Sequence, residues 1–358
     1  MNDIFPFLKN LTSASGLSGY ETHVAEIIKE KWFPLVDEIQ VSQVGSLHGV
    51  KRGKSDKPQL SILIATHMDA IGLMVTNIDD GFLSFTSIGG VDPRVLPGQP
   101  VYVHASGKKS KDHKPLPGRV VQPSNFLLPP EMTSAVVPIE RLIIDTGLTS
   151  KQVIELVQVG DLVSFAQEPL ALSGETIAAH SLDNRAAVAA LTICLEELQT
   201  MIHRWDVWAV ATVQEEIGLV GAYTSTFQIR PSLAIVVDTT WAKGPGSDDW
   251  NTFPMGQGPT FLFGPNIHPK LHGTFKDLAE KLEIPFKIEI TGRHSGTDAF
   301  ATQVVAEGIP TMAICIPIRY MHTPVEVATI KDIQRTGRLL AQFISQLDDD
   351  YMKSIELE

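Results

Sequence analysis

Four apolar runs in this chain end in residues that bind metals or carry protons. Leu60–Ala65 ends in Thr66-His67-Met68-Asp69, and Val207–Val213 ends in Gln214-Glu215-Glu216. Leu233–Val237 ends in Asp238, and Thr311–Ile316 is followed by Pro317-Ile318-Arg319-Tyr320-Met321-His322. A fifth candidate, Asp183 in Ser181-Leu182-Asp183-Asn184-Arg185, stands at the start of a helical pattern. Imidazole and carboxylate together suit zinc, cobalt or manganese better than calcium. Two histidines and three carboxylates suffice for two divalent ions that share a bridging carboxylate. Such a pair sits about 3.5–4 Å apart and lowers the pKa of a shared water. A nearby carboxylate can take that proton and return it to a leaving group. Glu215 and Glu216 need not share a task. On extended backbone neighbouring side chains point to opposite sides, so one binds metal while the other faces the water.

Each residue alone has a plain reading. Asp183 is a helix N-cap, His67 a satisfied core histidine, and Glu215-Glu216 a solvated loop. Asp238 caps the loop that follows it, and His322 is a turn residue. Taken together, one metal site explains all five.

These residues need a frame that brings strand ends to one edge. Leu60–Ala65 is short, β-branched and nearly all apolar, the pattern of a strand buried on both faces. It follows the helical pattern Thr22–Trp32 and a turn-rich stretch, Lys51–Pro58. After residue 175, strands (Val207–Val213, Leu233–Val237, Phe286–Ile290, Thr311–Ile316) alternate with helices (Leu182–Leu198, Leu271–Leu282, Asp298–Glu307, Thr329–Leu347). That alternation predicts an α/β fold, a mainly parallel sheet covered by helices. In such sheets, sites form outside the carboxyl ends of the strands. Between about 70 and 165 the texture differs. Short strand patterns are punctuated by turns, Asp79-Asp80-Gly81 and Leu116-Pro117-Gly118, and by Pro129-Pro130. The expected organisation is a catalytic domain in two parts, 1–69 and 166–358, interrupted by a β-rich domain at 70–165.

Composition narrows the function. The chain has 358 residues and a formal net charge of -12, with 41 acidic against 29 basic side chains. Bulk charge therefore disfavours phosphate binding, and no nucleic acid is expected as a partner. Hydrophobic residues make up 43%, enough for a core that needs no disulfide. Cys194 and Cys315 read as buried, reduced thiols. The start, Met1-Asn2-Asp3-Ile4-Phe5-Pro6, lacks a secretory pattern. No run approaches the ~20 apolar residues of a membrane span. A cytoplasmic protein without a membrane partner is the expectation.

The same segments resemble a known family, the tetrahedral (TET-type) dinuclear metallo-aminopeptidases. These are also called glutamyl or deblocking aminopeptidases, and some carry cellulase or endoglucanase labels. The resemblance rests on Ala65–Asp69, Ser181–Arg185, Gln214–Gly218, Val236–Asp238, Ser295–Ala299 and Arg319–Glu326 in the catalytic domain. Ile88–Arg94 and Asp145-Thr146-Gly147 match in the insert. It implies a zinc-peptidase-like catalytic domain with a small β-barrel-like insert. It implies that Asp183 bridges two metals, that His67 and Asp238 complete one site, and that Glu216 and His322 complete the other. Glu215 is then the general base, and Asp69 orients His67. The implied metals are zinc or cobalt, and the implied substrates are short peptides with a free amino terminus. The implied assembly is a homo-oligomer, a tetrahedral dodecamer built from dimers through the inserted domain.

This chain departs from the family pattern in two places. Ala70 stands where many members have glutamate, and Arg293-His294-Ser295 replaces a more glycine-rich run. Trp241, Asp248, Asp249 and Trp250 belong to a segment that reads either as pocket wall or as loop surface. Three other functions compete with the aminopeptidase. A metal-dependent amidohydrolase or deacylase of small N-acylated substrates would use the same constellation. A glycosidase would need only paired carboxylates and would leave His67, Asp238 and His322 unexplained. A non-catalytic assembly protein would fit a chain lacking a ligand, and none is lacking.

Overall fold

The computed structural model describes residues 3–55, 60–110, 114–127, 129, 135–247 and 249–357. Met1, Asn2, Asp56, Lys57, Pro58, Pro130 and Asp248, read above, lie outside them. The chain divides into two compact units. Unit 1 comprises Met1–Asp69, Pro169–Met321 and Glu326–Glu358; unit 2 comprises Ala70–Glu168 and His322–Val325.

Unit 1 opens with helices α1 (Phe5–Ser13) and α2 (Thr22–Trp32) and strands β1 (Glu38–Val41), β2 (Leu47–Lys51) and β3 (Ser61–His67). Unit 2 supplies β4 (Gly72–Asp79), β5 (Phe82–Ile88), β6 (Pro100–His104), β7 (Leu116–Val121), β8 (Ile143–Asp145), helix α3 (Ser150–Leu156) and β9 (Leu162–Phe165). Unit 1 resumes with β10 (Leu170–Leu172), β11 (Thr176–Ala179), α4 (Leu182–Glu197), β12 (Asp206–Thr212), α5 (Val220–Ile229) and β13 (Leu233–Trp241). It ends with β14 (Thr260–Phe263), α6 (Pro269–Lys281), β15 (Lys287–Ile290), α7 (Asp298–Gln303), β16 (Thr311–Ile318), β17 (Glu326–Thr329), α8 (Ile330–Gln346) and α9 (Tyr351–Ser354).

Among the described residues, eight strands of unit 1 form one mixed sheet in the order β1-β2-β12-β3-β13-β16-β14-β15. Its centre is parallel: β3 lies between β12 and β13, and β13 pairs with β16. This is the α/β architecture that the strand–helix alternation predicts. β3 and β13 are buried along nearly their whole length, as their unbroken apolar runs require. Helix α4 packs on β3 and β13 and against α8, while α5 and α7 pack together on β3. Helices therefore cover the faces of the central strands.

The contact between α4 and α8 depends on Gly337. A Cβ placed there would come within 2.4 Å of the Ala190 carbonyl and 2.7 Å of the Ile193 Cβ. Gly273 in α6 is the contrasting case, with open space around its missing Cβ. Gly337→Ala is expected to destabilise unit 1 by about 1–3 kcal/mol, the usual cost of overpacking. Gly273→Ala should instead stabilise it by roughly 0.5–1 kcal/mol through helix propensity. Denaturant midpoints of the two variants test this pair of opposite signs.

In unit 2, β4-β5-β8-β7-β6-β9 close into a barrel around Leu73, Val101, Val120, Ile144 and Val163. Asp79-Asp80-Gly81 forms the β4–β5 turn, with positive φ at Asp80 (46°) and Gly81 (87°). Leu116-Pro117-Gly118 does not form a turn: it begins β7, where Pro117 sits opposite Tyr102. Gly118 is there for close approach, since a Cβ would meet Ile144 Cγ2 at 2.9 Å. Helix α7 also differs from the expected Asp298–Glu307. It ends at Gln303, and Ala306 and Gly308 both adopt left-handed backbone.

Candidate metal centre

The parallel register brings the ends of β3 and β12 beside Asp238, which lies inside β13, since that strand continues to Trp241 instead of ending at Val237. Thr212 of β12 lies opposite His67, the last residue of β3. On the other side β13 pairs with β3 as far as Val236 opposite Ala65, so Asp238 continues that register toward His67. Asp183, the second residue of α4, is aimed at the same place. Its backbone N–H donates to Glu326 Oε2 (3.0 Å), and the neighbouring Asn184 amide donates to the Val237 carbonyl (2.8 Å). The helix start is thereby sewn to β17 and β13 on either side of Asp183.

The result is one imidazole ringed by carboxylates. His67 Nε2 lies 3.2 Å from Asp183 Oδ1, 3.6 Å from Asp238 Oδ1 and 3.9 Å from Glu215 Oε2. His67 Nδ1 faces Asp69, 3.5 Å from Oδ1. His67, Asp69, Asp183 and Asp238 are buried; Glu215 and Glu216 are half-buried. Ligand atoms of His67, Asp183 and Asp238 fall within 4.8 Å of one another, and so do those of His67, Glu215 and Glu216. Carboxylate oxygens of Asp183 and Glu216 are also within 4.8 Å.

The two glutamates do not point apart as expected from extended backbone. β12 ends at Thr212, Gln214 has φ 56°, and the chain turns through Gly218 and Leu219. Both glutamate side chains consequently reach the His67 neighbourhood. Asp69 holds this turn: it accepts from the Glu215 N–H (3.0 Å), the Glu216 N–H (3.2 Å) and the Ser18 hydroxyl (2.5 Å).

Electrostatically the cluster has too much negative charge for its cations. Burial pushes the Glu215 carboxyl well up, with Asp238, Asp298 and Glu216 adding to the rise against the opposing pull of His67. Burial likewise raises Asp238 and lifts Asp298 to about 7. Burial works to lower His67, but Glu215, Asp183, Asp238 and Asp69 outweigh it and hold the imidazole well above its ordinary value. Asp69 goes the other way. Its burial is overcome by His67, Ser18 and Glu215, which keep it low. Like charges packed this closely destabilise one another unless a cation is shared. Asp298 Oδ1, buried, accepts no hydrogen bond among the described residues. A set of imidazole and carboxylate donors with excess negative charge fits divalent transition metals.

His322 stands four residues beyond β16, in the segment that groups with unit 2. Its backbone is left-handed (φ 62°), and its ring lies against Gly90, where a Cβ would come within 2.9 Å of Nδ1. Trp241, Asp249 and Trp250 line an open cavity of about 600 Å³. Several supporting residues escaped the sequence reading. Arg185, fully buried, donates to the carbonyls of Leu11, Ala14 and Met68. Thr212 donates to Asp298 (2.5 Å), and Glu21 accepts from Gly19 and Gln214. The motifs Ser295–Ala299 and Ser181–Arg185 contain Asp298 and Arg185 without indicating what they contact; nothing local signals Thr212 or Glu21.

The family model described as M42 glutamyl aminopeptidase matches residues 45–339. The chain belongs to the M42 glutamyl aminopeptidase family. It is 33% identical to the lysyl aminopeptidase of Pyrococcus furiosus over 95% of this chain and 96% of that protein. The TET aminopeptidase of the marine sediment archaeon Thaumarchaeota archaeon SCGC AB-539-E09 superposes with a TM-score of 0.90 at 28% identity, covering 99% of this chain and 100% of that one. The TET1 peptidase of Pyrococcus horikoshii, which can assemble into a tetrahedron or a large octahedral shell, gives 0.79 at 29% identity over 96% and 100%. As an M42 member the chain is a metal-dependent aminopeptidase, a peptide hydrolase. No described helix is long and apolar enough to cross a membrane.

Proposed function

We propose that this chain removes the first residue from short peptides with a free amino terminus, using two divalent metal ions and Glu215 as general base. The observation that carries this reading is the ring of carboxylates around His67 Nε2. His67 and Asp238 would hold one ion, Glu216 and His322 the other, and Asp183 would bridge them. Zinc or cobalt suits this donor set, with manganese next. When bound, the ions supply Lewis acidity toward a peptide carbonyl and lower the pKa of water.

The remaining chemistry belongs to the chain. Asp69 faces His67 Nδ1 and so leaves Nε2 aimed at the carboxylates. Burial and its acidic neighbours raise the proton affinity of the Glu215 carboxyl above that of an exposed carboxylate, which suits a group that must take up a proton and hand it on. Its carboxylate takes a proton from the attacking water and returns it to the amine nitrogen as the C–N bond breaks. The turn 214–219 keeps Glu215 and Glu216 at the centre.

The test is a panel of aminoacyl-anilides offered to metal-free protein titrated with zinc, cobalt and manganese. Release of aniline that rises with added metal is expected. Turnover of N-acyl amino acids with none of the anilides would support a deacylase instead. Hydrolysis of cellulose oligomers that ignores a chelator would support a glycosidase.

We further propose a homo-oligomer built from dimers through the barrel unit, in the manner of the tetrahedral dodecamers. The support is the likeness to the TET peptidases. A solution mass near one subunit would exclude it. A cytoplasmic location agrees with two buried free cysteines, Cys194 and Cys315.

A further inference from the structure

Glu21 is an acid at the N-cap of α2, yet its side chain does not cap that helix. It is 5% exposed, and one oxygen, Oε1, accepts from the Gly19 N–H (2.7 Å) and from the Gln214 N–H (3.1 Å). Gln214 is the first residue of the turn that carries Glu215 and Glu216. The next two N–H groups, of Glu215 and Glu216, go to Asp69. Asp69 is itself fastened by Ser18, three residues before Glu21. Three consecutive backbone donors are therefore pinned by two buried carboxylates that share the support segment 18–21.

The turn needs such support. Gln214 (φ 56°) and Leu219 (φ 60°) are non-glycine residues in left-handed backbone, a conformation that persists only where neighbours impose it. The turn's own bonds run from the Gly218 and Leu219 N–H groups to the Glu215 carbonyl and from the Val220 N–H to the Gln214 carbonyl (3.3 Å), and none of them takes up the Gln214 N–H. Its first residue is anchored by Glu21. Without that anchor the Gln214 N–H loses its acceptor and only the longer Val220 bond still holds its carbonyl, so the residue can relax toward ordinary backbone and swing the Glu215 side chain.

We propose that Glu21 is a positioning residue, holding Gln214 in its left-handed conformation so that the Glu215 carboxylate stays at the metal centre. The inference rests on the reading of Glu215 as general base. What Glu21 offers both N–H groups is an acceptor oxygen, which glutamine also carries, so glutamine should replace it and shorter or acceptor-free side chains should not.

The experiment compares Glu21→Gln, Glu21→Met and Glu21→Asp at saturating metal. Misplacing a reacting group by an ångström costs on the order of 100-fold. Glu21→Met is expected to lower kcat by about 10- to 100-fold with KM changed less than about threefold. Metal content should stay near native, while the thermal midpoint of Glu21→Met should fall because two backbone N–H groups lose their acceptor. Glu21→Asp should fall on the same side, and Glu21→Gln should be near native. In a Glu215→Gln background, Glu21→Met should cost nothing further, because the group it positions is already gone. Native kcat in Glu21→Met overturns the inference; if that variant does not fold, native kcat in Glu21→Asp does so. A Glu21→Gln loss as large as that of Glu21→Met overturns the acceptor role, and multiplied losses in the double variant overturn the coupling to Glu215. Near-native turnover in Glu215→Gln alone points instead to a wrong base.

Discussion

Glu215→Gln is expected to lower kcat by about 10²- to 10⁴-fold, the range that general acid–base groups contribute. Glutamine has the same shape and cannot accept the proton. Its place in the molecule does not depend on the charge, because the turn is held by the Glu215 backbone N–H on Asp69. Fold and metal content should therefore survive, and KM should move little. The physical basis is the raised proton affinity of the Glu215 carboxyl, caused by burial and then by Asp238, Asp298 and Glu216. Steady-state kinetics and metal analysis on one preparation check it. Near-native turnover with full metal would remove Glu215 from the mechanism.

Asp183→Asn should act at an earlier stage, on metal binding. Asp183 is the acid closest to His67 Nε2, at 3.2 Å. It shares the His67–Asp238 cluster and has an oxygen within 4.8 Å of Glu216. A residue placed to bridge should cost affinity at both sites, beyond the roughly 10- to 100-fold of a supporting residue. The backbone bond from Asp183 to Glu326 involves the N–H and persists in the variant. One buried negative charge is gone, so the metal-free variant should be at least as stable as metal-free wild type. Calorimetric titration with zinc, together with unfolding of both proteins in chelator, tests both signs. Wild-type affinity in the variant would exclude the bridging role.

What the sequence reveals is the edge where chemistry gathers. Buried parallel strands are written as unbroken apolar runs, so a histidine or aspartate that interrupts them marks the site, although β13 runs on past Asp238 to Trp241 instead of ending there. Register then places His67 and Asp238 side by side. Legibility stops where contacts are distant or the backbone leaves regular geometry. The bond from the Gln214 N–H to Glu21 spans 193 positions, and that from Ser18 to Asp69 spans 51. No periodicity encodes either. Alternation misplaces Glu215 and Glu216 because β12 has already ended at Thr212 and the chain is turning. Leu116-Pro117-Gly118 misleads in the opposite sense. Pro117 and Gly118 look like a turn but serve a barrel strand that must pass close to Ile144.

The central claim is that two divalent ions per subunit sit among these carboxylates and that turnover depends on both. It is tested by adding zinc or cobalt stepwise to metal-free protein, counting bound ions and following aminoacyl-anilide hydrolysis in the same samples. The expected result is binding that saturates at two ions per subunit, with full kcat reached only as the second is taken up. Saturation at a single ion with full kcat, or hydrolysis that persists in chelator, would contradict it.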